Sequence, residues 1–142
     1  DVRERLKKKN TLQAVFSMPD DIFYPTGTNV CVMVWTAHTP HDSKQETFFG
    51  YCKNDGFVKR KKLGRIDAFG KWESIEKEWL KLYRNKDVVD GLSARHCVGY
   101  DDEWLCEAYM QTDYSKLTQD DFQSTLNDYL AYLIREGEVY ES

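Results

Sequence analysis

The 142-residue chain is 41% hydrophobic and 14% aromatic, with a formal net charge of −4. A unit of this length buries roughly two-thirds of its unfolded surface, and so many large rings exclude a disordered segment. No apolar run nears the ~18 residues that span a bilayer, no apolar signal segment opens the chain, and the net charge as a whole is not that of a nucleic-acid binder.

In chain order, residues 2–9 read as the end of a helix. Lys7, Lys8 and Lys9 lie near its negative pole, with Asn10 as the C-cap. Residues 11–18 then read as a strand. Residues 30–37 read as a second one, and their continuous apolar core (Val30, Cys31, Val32, Met33, Val34, Trp35) suits a strand buried on both faces. The connection at 19–29 is too long for a tight hairpin. Pro19 and Pro25 restrict it and Gly27 frees it, in the manner of loops that carry function.

Residues 38–45 form a polar loop, 46–52 a third strand, and Asn54-Asp55-Gly56 a turn. Residues 57–62 make a short fourth strand or an arm. After Gly70 the period changes: Trp72, Ile75, Trp79, Leu82 and Tyr83 share one helical face. Residues 88–99 show no period, and 101–110 read as a short helix. The last helix has the best start signal, with Thr118 as N-cap, Asp121 three residues on and Leu117 with Phe122 as a staple. Gly137 marks its stop.

The order helix, strands, helices is an α/β or α+β arrangement. Charge divides it. Residues 1–65 carry 12 Lys and Arg against 7 Asp and Glu, and residues 66–142 carry 8 against 17, so a +5 half precedes a −9 half. The first half can therefore bind nucleic acid locally. Two regions are expected on this basis, 1–65 and 66–142, packed together as one unit. Cys31, Cys52, Cys97 and Cys106 are far apart with no CxxC, which fits free thiols in a reducing cytoplasm.

Two strings are specific in combination: Asn10-Thr11-Leu12-Gln13-Ala14-Val15, and Met18-Pro19-Asp20-Asp21-Ile22-Phe23-Tyr24-Pro25-Thr26-Gly27. Together they resemble the strand–loop–strand late in the amino-methyltransferase domain of type I restriction–modification modification subunits, which are N6-adenine-specific DNA methyltransferases. The later strings TFFGY, NDGFVKRK, GRID and DDEWLCEAYMQTDYSKLT are similar to the extended tail of one branch of that family. The resemblance implies the last strands of a Rossmann-like sheet followed by a helical region. It implies a parent enzyme that transfers a methyl group from S-adenosylmethionine to adenine N6, with DNA, a specificity subunit and a restriction subunit as partners.

The glycine-rich loop and the Asn/Asp-Pro-Pro-Tyr/Phe motif of that family are missing from these residues. With a first residue Asp1 rather than Met, this implies a fragment that is inactive alone, has no catalytic residue or cofactor site of its own, and associates with copies of itself through strand edges or the aromatic face. The rival reading is a stand-alone α+β module that binds nucleic acid or protein.

The resemblance also puts an aromatic ring of the loop against the flipped base, a role carried onto Phe23 or Tyr24. The alternative is that both rings pin the loop to the core. The cluster Lys59, Arg60, Lys61 and Lys62, with Arg65, offers clustered charge to backbone phosphates, or else is a solvated turn. The segment His38-Thr39-Pro40-His41-Asp42 reads as a polar loop, not a metal site. His96-Cys97 is not a nucleophile with its base, because adjacent side chains seldom face each other. Asp101, Asp102 and Glu103 read as a cap on the following helix or as solvated side chains.

Overall fold

A computed structural model describes residues 1–112 and 119–135. The chain divides into two compact units, Asp1–Gln111 and Thr112–Ser142.

The first unit opens with helix α1, Val2–Lys9. The Asp1 carboxylate accepts from the Arg3 N–H at 2.9 Å, and the Asn10 N–H donates back to the Leu6 carbonyl. Strands β1 (Thr11–Ser17), β2 (Cys31–Thr36), β3 (Thr47–Tyr51) and β6 (Ser93–His96) form a sheet in the order β2-β1-β3-β6. The pair β1/β3 is parallel; β1/β2 and β3/β6 are antiparallel. Between β3 and β6 lie a small hairpin, β4 (Val58–Arg60) with β5 (Gly64–Ile66), and helix α2 (Trp72–Asn85).

The core sits on one face of this sheet. A bulge between Leu12 and Ala14 resets the alternation, so Leu12 and Val15 both join Phe49, Ala94, Val98, Trp104 and Cys106. Thr47 is buried beside them and donates its hydroxyl to the Leu12 carbonyl at 3.0 Å. Cys52 and Cys106 are buried too, and burial pushes both thiols up to about 12, so they act as small hydrophobes.

Phe16 and Phe48 meet α2 through Tyr83, whose ring centroid lies 5.4 Å from Phe16 and 5.8 Å from Phe48. Gly50 makes room for this cluster. A Cβ there would stand 2.6 Å from the Phe16 ring. Gly50→Val is therefore expected to cost about 1–3 kcal/mol through overpacking, read as a lower denaturant midpoint, with Gly50→Ala falling between Val and the unaltered protein.

Several sequence expectations change. The strand at 30–37 is not buried on both faces: β2 is an edge strand, with Val32 48% and Met33 39% exposed. The central position belongs to β1, whose Leu12, Ala14 and Val15 are fully buried. The stretch 101–110 is not an α-helix but a segment laid across the sheet, with one 3-10 turn at Cys106–Ala108. Trp104 and Cys106 hold it there by joining the core, and its rings brace it locally: Trp104 Nε1–H donates to the Gly99 carbonyl at 2.9 Å and the Tyr109 hydroxyl to the Glu103 carbonyl at 2.6 Å. The Asp102 carboxylate accepts from the Gly99 N–H at 2.7 Å, closing a turn, not capping a helix. Residues 88–99 contain β6, and 64–66 add a strand that the sequence pattern does not announce.

The second unit contributes helix α3, Gln119–Arg135, with Asp120 and Asp121 in its first turn and Arg135 in its last. Phe122, Leu126, Tyr129, Leu130 and Ile134 along it are exposed. The expected cap Thr118, the staple residue Leu117 and the stop Gly137 lie outside the described residues.

Candidate nucleic-acid interface

The loop at 19–29 leaves the carboxyl end of β1, beside the carboxyl end of its parallel partner β3. Ligands of open α/β sheets collect at such strand ends. The loop is built of successive turns: Ile22 N–H donates to Pro19, Tyr24 N–H to Asp21 and Thr26 N–H to Phe23, at 3.3, 2.9 and 3.0 Å. The Tyr24–Pro25 peptide is cis. These turns leave Phe23 61% and Tyr24 45% exposed. Neither ring is buried in the core.

Carboxylates at the start of the loop tie it to its surroundings. Asp20 pairs with Lys53 at 2.5 Å. Asp21 accepts from Arg65 Nε at 3.0 Å and lies 4.0 Å from Lys59 Nζ. The Arg65 guanidinium also donates to both oxygens of Asp55, at 2.9 and 2.7 Å, and lies 5.3 Å from the Phe57 ring centroid. Arg65 and Asp55 side chains are only 13% and 11% exposed, so this is a nearly dry clamp.

The clamp fixes the β4–β5 hairpin against the loop. Lys59 Nζ sits 5.6 Å from the Tyr24 ring centroid, within cation–π range. The aromatic and the basic candidates, 35 residues apart in sequence, therefore form one surface. Lys59, Arg60, Lys61 and Lys62 face solvent, whereas Arg65 is committed to its two carboxylates. Sequence reasoning singles out Arg65 but misses Asp21 and Asp55. The signal available is chemical: an acidic pair opening a loop needs a cation, and the nearest basic run is the hairpin.

A cavity of about 430 Å³ opens below the loop at the strand ends, lined by Ser17, Asp20, Asn29, Tyr51, Lys53 and Glu107 among others. The Ser17 hydroxyl donates to Glu107 at 3.0 Å.

The other candidates take structural roles. His41 Nδ1 accepts from the Leu12 N–H at 3.1 Å, and burial, aided by the Lys7 charge, lowers its pKa. The His38 N–H donates to the Asn10 side chain, and Asp42 accepts from the Lys44 N–H. His96 stacks on Tyr109 with centroids 4.3 Å apart, and the Cys97 thiol points to the Lys44 carbonyl. Among the described residues, no group of three or more His, Cys, Asp or Glu side chains is placed to hold a metal ion. No described helix is long and apolar enough to cross a membrane.

Comparison with known proteins places the chain beside a restriction enzyme and a family of methylases. It is similar to the type II restriction enzyme and methyltransferase RM.BcgI of Heyndrickxia coagulans, 28% identical over 132 residues. That alignment covers 92% of this chain and 20% of the relative, so the chain spans about a fifth of the protein it matches. The family model described as N-6 DNA Methylase matches over residues 1–131, which include the loop, the clamp and the hairpin. The mixed α/β architecture agrees with it, and the chain belongs to the N-6 DNA methylase family.

Proposed function

We propose that this chain is the late part of an enzyme that methylates adenine N6 in DNA, and that its share of the work is to hold the DNA. The observation that carries this reading is the joining of an exposed aromatic pair to an exposed basic hairpin through Asp21, Arg65 and Asp55. An enzyme acting on a base must extrude it and hold it between flat groups. Phe23 or Tyr24 provides such a surface, and Lys59, Arg60, Lys61 and Lys62 take the neighbouring phosphates. Phosphate contacts fix register without reading sequence, so site recognition falls to other parts of the system.

The parent enzyme's methyl donor is S-adenosylmethionine, which supplies the transferred methyl group when bound. The described residues do not fit it. Among them, no strand passes through a glycine-rich turn into a helix N-terminus: β1 leads into the turns of 19–29, and β3 into Asn54-Asp55-Gly56. We assign the cofactor and the catalytic residues to other parts of the protein, and no activity to this chain alone. The 1–65 region supplies sheet end and basic arm, and 66–111 adds helix α2 and strand β6 to the same unit.

The relative's name joins restriction with methylation in one protein. We accordingly place the parent in a cytoplasmic restriction–modification system. There it acts as the modification subunit or its equivalent, with specificity and restriction functions beside it on partner subunits or on the same chain. The exposed β2 edge is the surface through which the isolated chain would associate with a second copy.

The reading is tested by salt. In the intact enzyme, changing Lys59, Arg60, Lys61 and Lys62 to Gln should reduce the slope of log affinity for DNA against log salt by about 0.9 for each phosphate no longer neutralised. A total near 2–3 is expected if most of the four side chains each meet a phosphate. An unchanged slope would remove the hairpin from the interface.

A further inference from the structure

We infer that the tip of the β4–β5 hairpin is a DNA wedge, with Leu63 as the inserting side chain, an inference that rests on the DNA-binding reading above. Leu63 is the most exposed large hydrophobic residue in the first unit, at 67%. It stands between the two strands, directly after Lys61 and Lys62. An apolar side chain so placed gains nothing from water, its exposure shows that it is no buried anchor, and four consecutive basic residues, Lys59 to Lys62, precede it.

The backbone around Leu63 is built to present it. Its N–H donates to the Arg60 carbonyl at 3.1 Å, which closes the turn. Lys62 takes φ 67 and Gly64 φ 74. Glycine adopts positive φ without penalty, but lysine does not. A turn that keeps a lysine where glycine would be relaxed gives up conformational ease for a charge at the tip.

The base of the hairpin is held as firmly as its tip is free. Arg65 pairs with Asp21 and Asp55, and Phe57 packs edge-on against Trp72 with ring centroids 5.9 Å apart. The tip can therefore be pushed into a duplex without the hairpin folding away. Leu63 lies four residues beyond Lys59, so at about 3.4 Å per residue their Cα atoms stand no more than ~14 Å apart, and Lys59 is the residue whose ammonium lies beside Tyr24. That distance corresponds to a few base-pair steps from a base stacked on the loop.

Proteins that deform DNA commonly insert one apolar side chain between base steps, with cations on the flanking phosphates. A two-stranded ribbon carrying Lys61, Lys62 and Leu63 at its tip has that composition. Its task here is to open the stack near the target, lowering the cost of extruding the adenine.

The test uses the intact enzyme with Leu63→Ala and Leu63→Ile. The substrates are a duplex with 2-aminopurine at the target position, read by fluorescence alone because it has no 6-amino group to methylate, a paired duplex with adenine at the target, and a duplex whose target adenine is mispaired, where extrusion is already easy. Leu63→Ala should lower the fluorescence gain on binding and slow methylation of the paired duplex by about tenfold. The mispaired duplex should be methylated at nearly the unaltered rate, the salt slope should not move, and Leu63→Ile should recover most of the loss.

Equal loss of rate on the paired and the mispaired duplex would overturn the wedge and make Leu63 a contact to protein. Unaltered fluorescence, with an unaltered rate on the paired duplex, would overturn it as well. The wedge and the phosphate reading separate cleanly: the wedge fails with the salt slope of the four-Gln variant still reduced, whereas the phosphate reading fails on that slope itself.

Discussion

Replacing Arg65 with Met is expected to make the amide hydrogens of the 19–29 loop and the β4–β5 hairpin exchange about a hundredfold faster, a local loss near 3 kcal/mol. The reason is electrostatic. Arg65 is the cation between two carboxylates, 3.0 Å from Asp21 and 2.7 Å from Asp55, and Asp55 is only 11% exposed. Removing it leaves Asp55 with no cation and little water to screen it, while Asp21 keeps some water and Lys59 at 4.0 Å. Breaking one side of a buried pair costs more than the pair contributes net, because the surviving partner keeps its desolvation penalty. Adding Asp55→Asn to Arg65→Met should therefore recover part of the loss, whereas independent sites would simply add. Arg65→Lys should be intermediate, since one ammonium does not reproduce a fork that meets two carboxylates. Exchange within a factor of a few of the unaltered protein would mean that the hairpin is held by packing of Phe57 and Trp72 instead.

This clamp shows where the sequence stops being informative. Its members are 10 and 44 residues apart, and no period or cap links them. The elements themselves are plainer. Helix α1 carries its own C-cap, α2 repeats its apolar residues at helical spacing, and β1 and β3 are dense in β-formers. Strand β6 is hidden because Ser93–His96 is short and polar. It is a strand only because β3 offers it a backbone edge, with Ala94 turned into the core and His96 exposed.

Strand β2 shows the converse. Its apolar run points to the right element and the wrong burial, because composition reports what a strand tolerates on its faces and not which neighbours it has. At 101–110, Trp104, Leu105, Ala108 and Tyr109 have a helical spacing, yet the segment is spread over the sheet. There Trp104 and Cys106 are buried in the core, and the polar tips of Trp104 and Tyr109 find carbonyls. The family is legible from the strings around Pro19 and Gly27. What joins the loop to the basic hairpin is not, since it is a property of the folded surface.

The ring pair at the centre of that surface has the largest expected effect on activity. In the intact enzyme, Phe23→Ala with Tyr24→Ala should reduce kcat/KM for DNA methylation by about 10- to 100-fold, the range that follows from ~1–3 kcal/mol per stacked base. Both rings are exposed and stand clear of the buried core, so truncation opens no cavity. The loss should fall on the extruded state, leaving the affinity at low salt to the hairpin cations. Tyr24 is the one whose ring a cation approaches, at 5.6 Å, which links its position to that of Lys59. A base on its other face would then be stacked within reach of the phosphate contact.

Leu and Trp replacements separate stacking from anchoring. Leu keeps apolar volume but offers no flat face, so it should behave like Ala if the ring stacks and like the unaltered protein if it only pins the loop. Trp should restore a stacking ring and lose a pinning one. Unaltered methylation by the double Ala variant would take the base away from this loop, leaving the hairpin as the proposed DNA contact among the described residues.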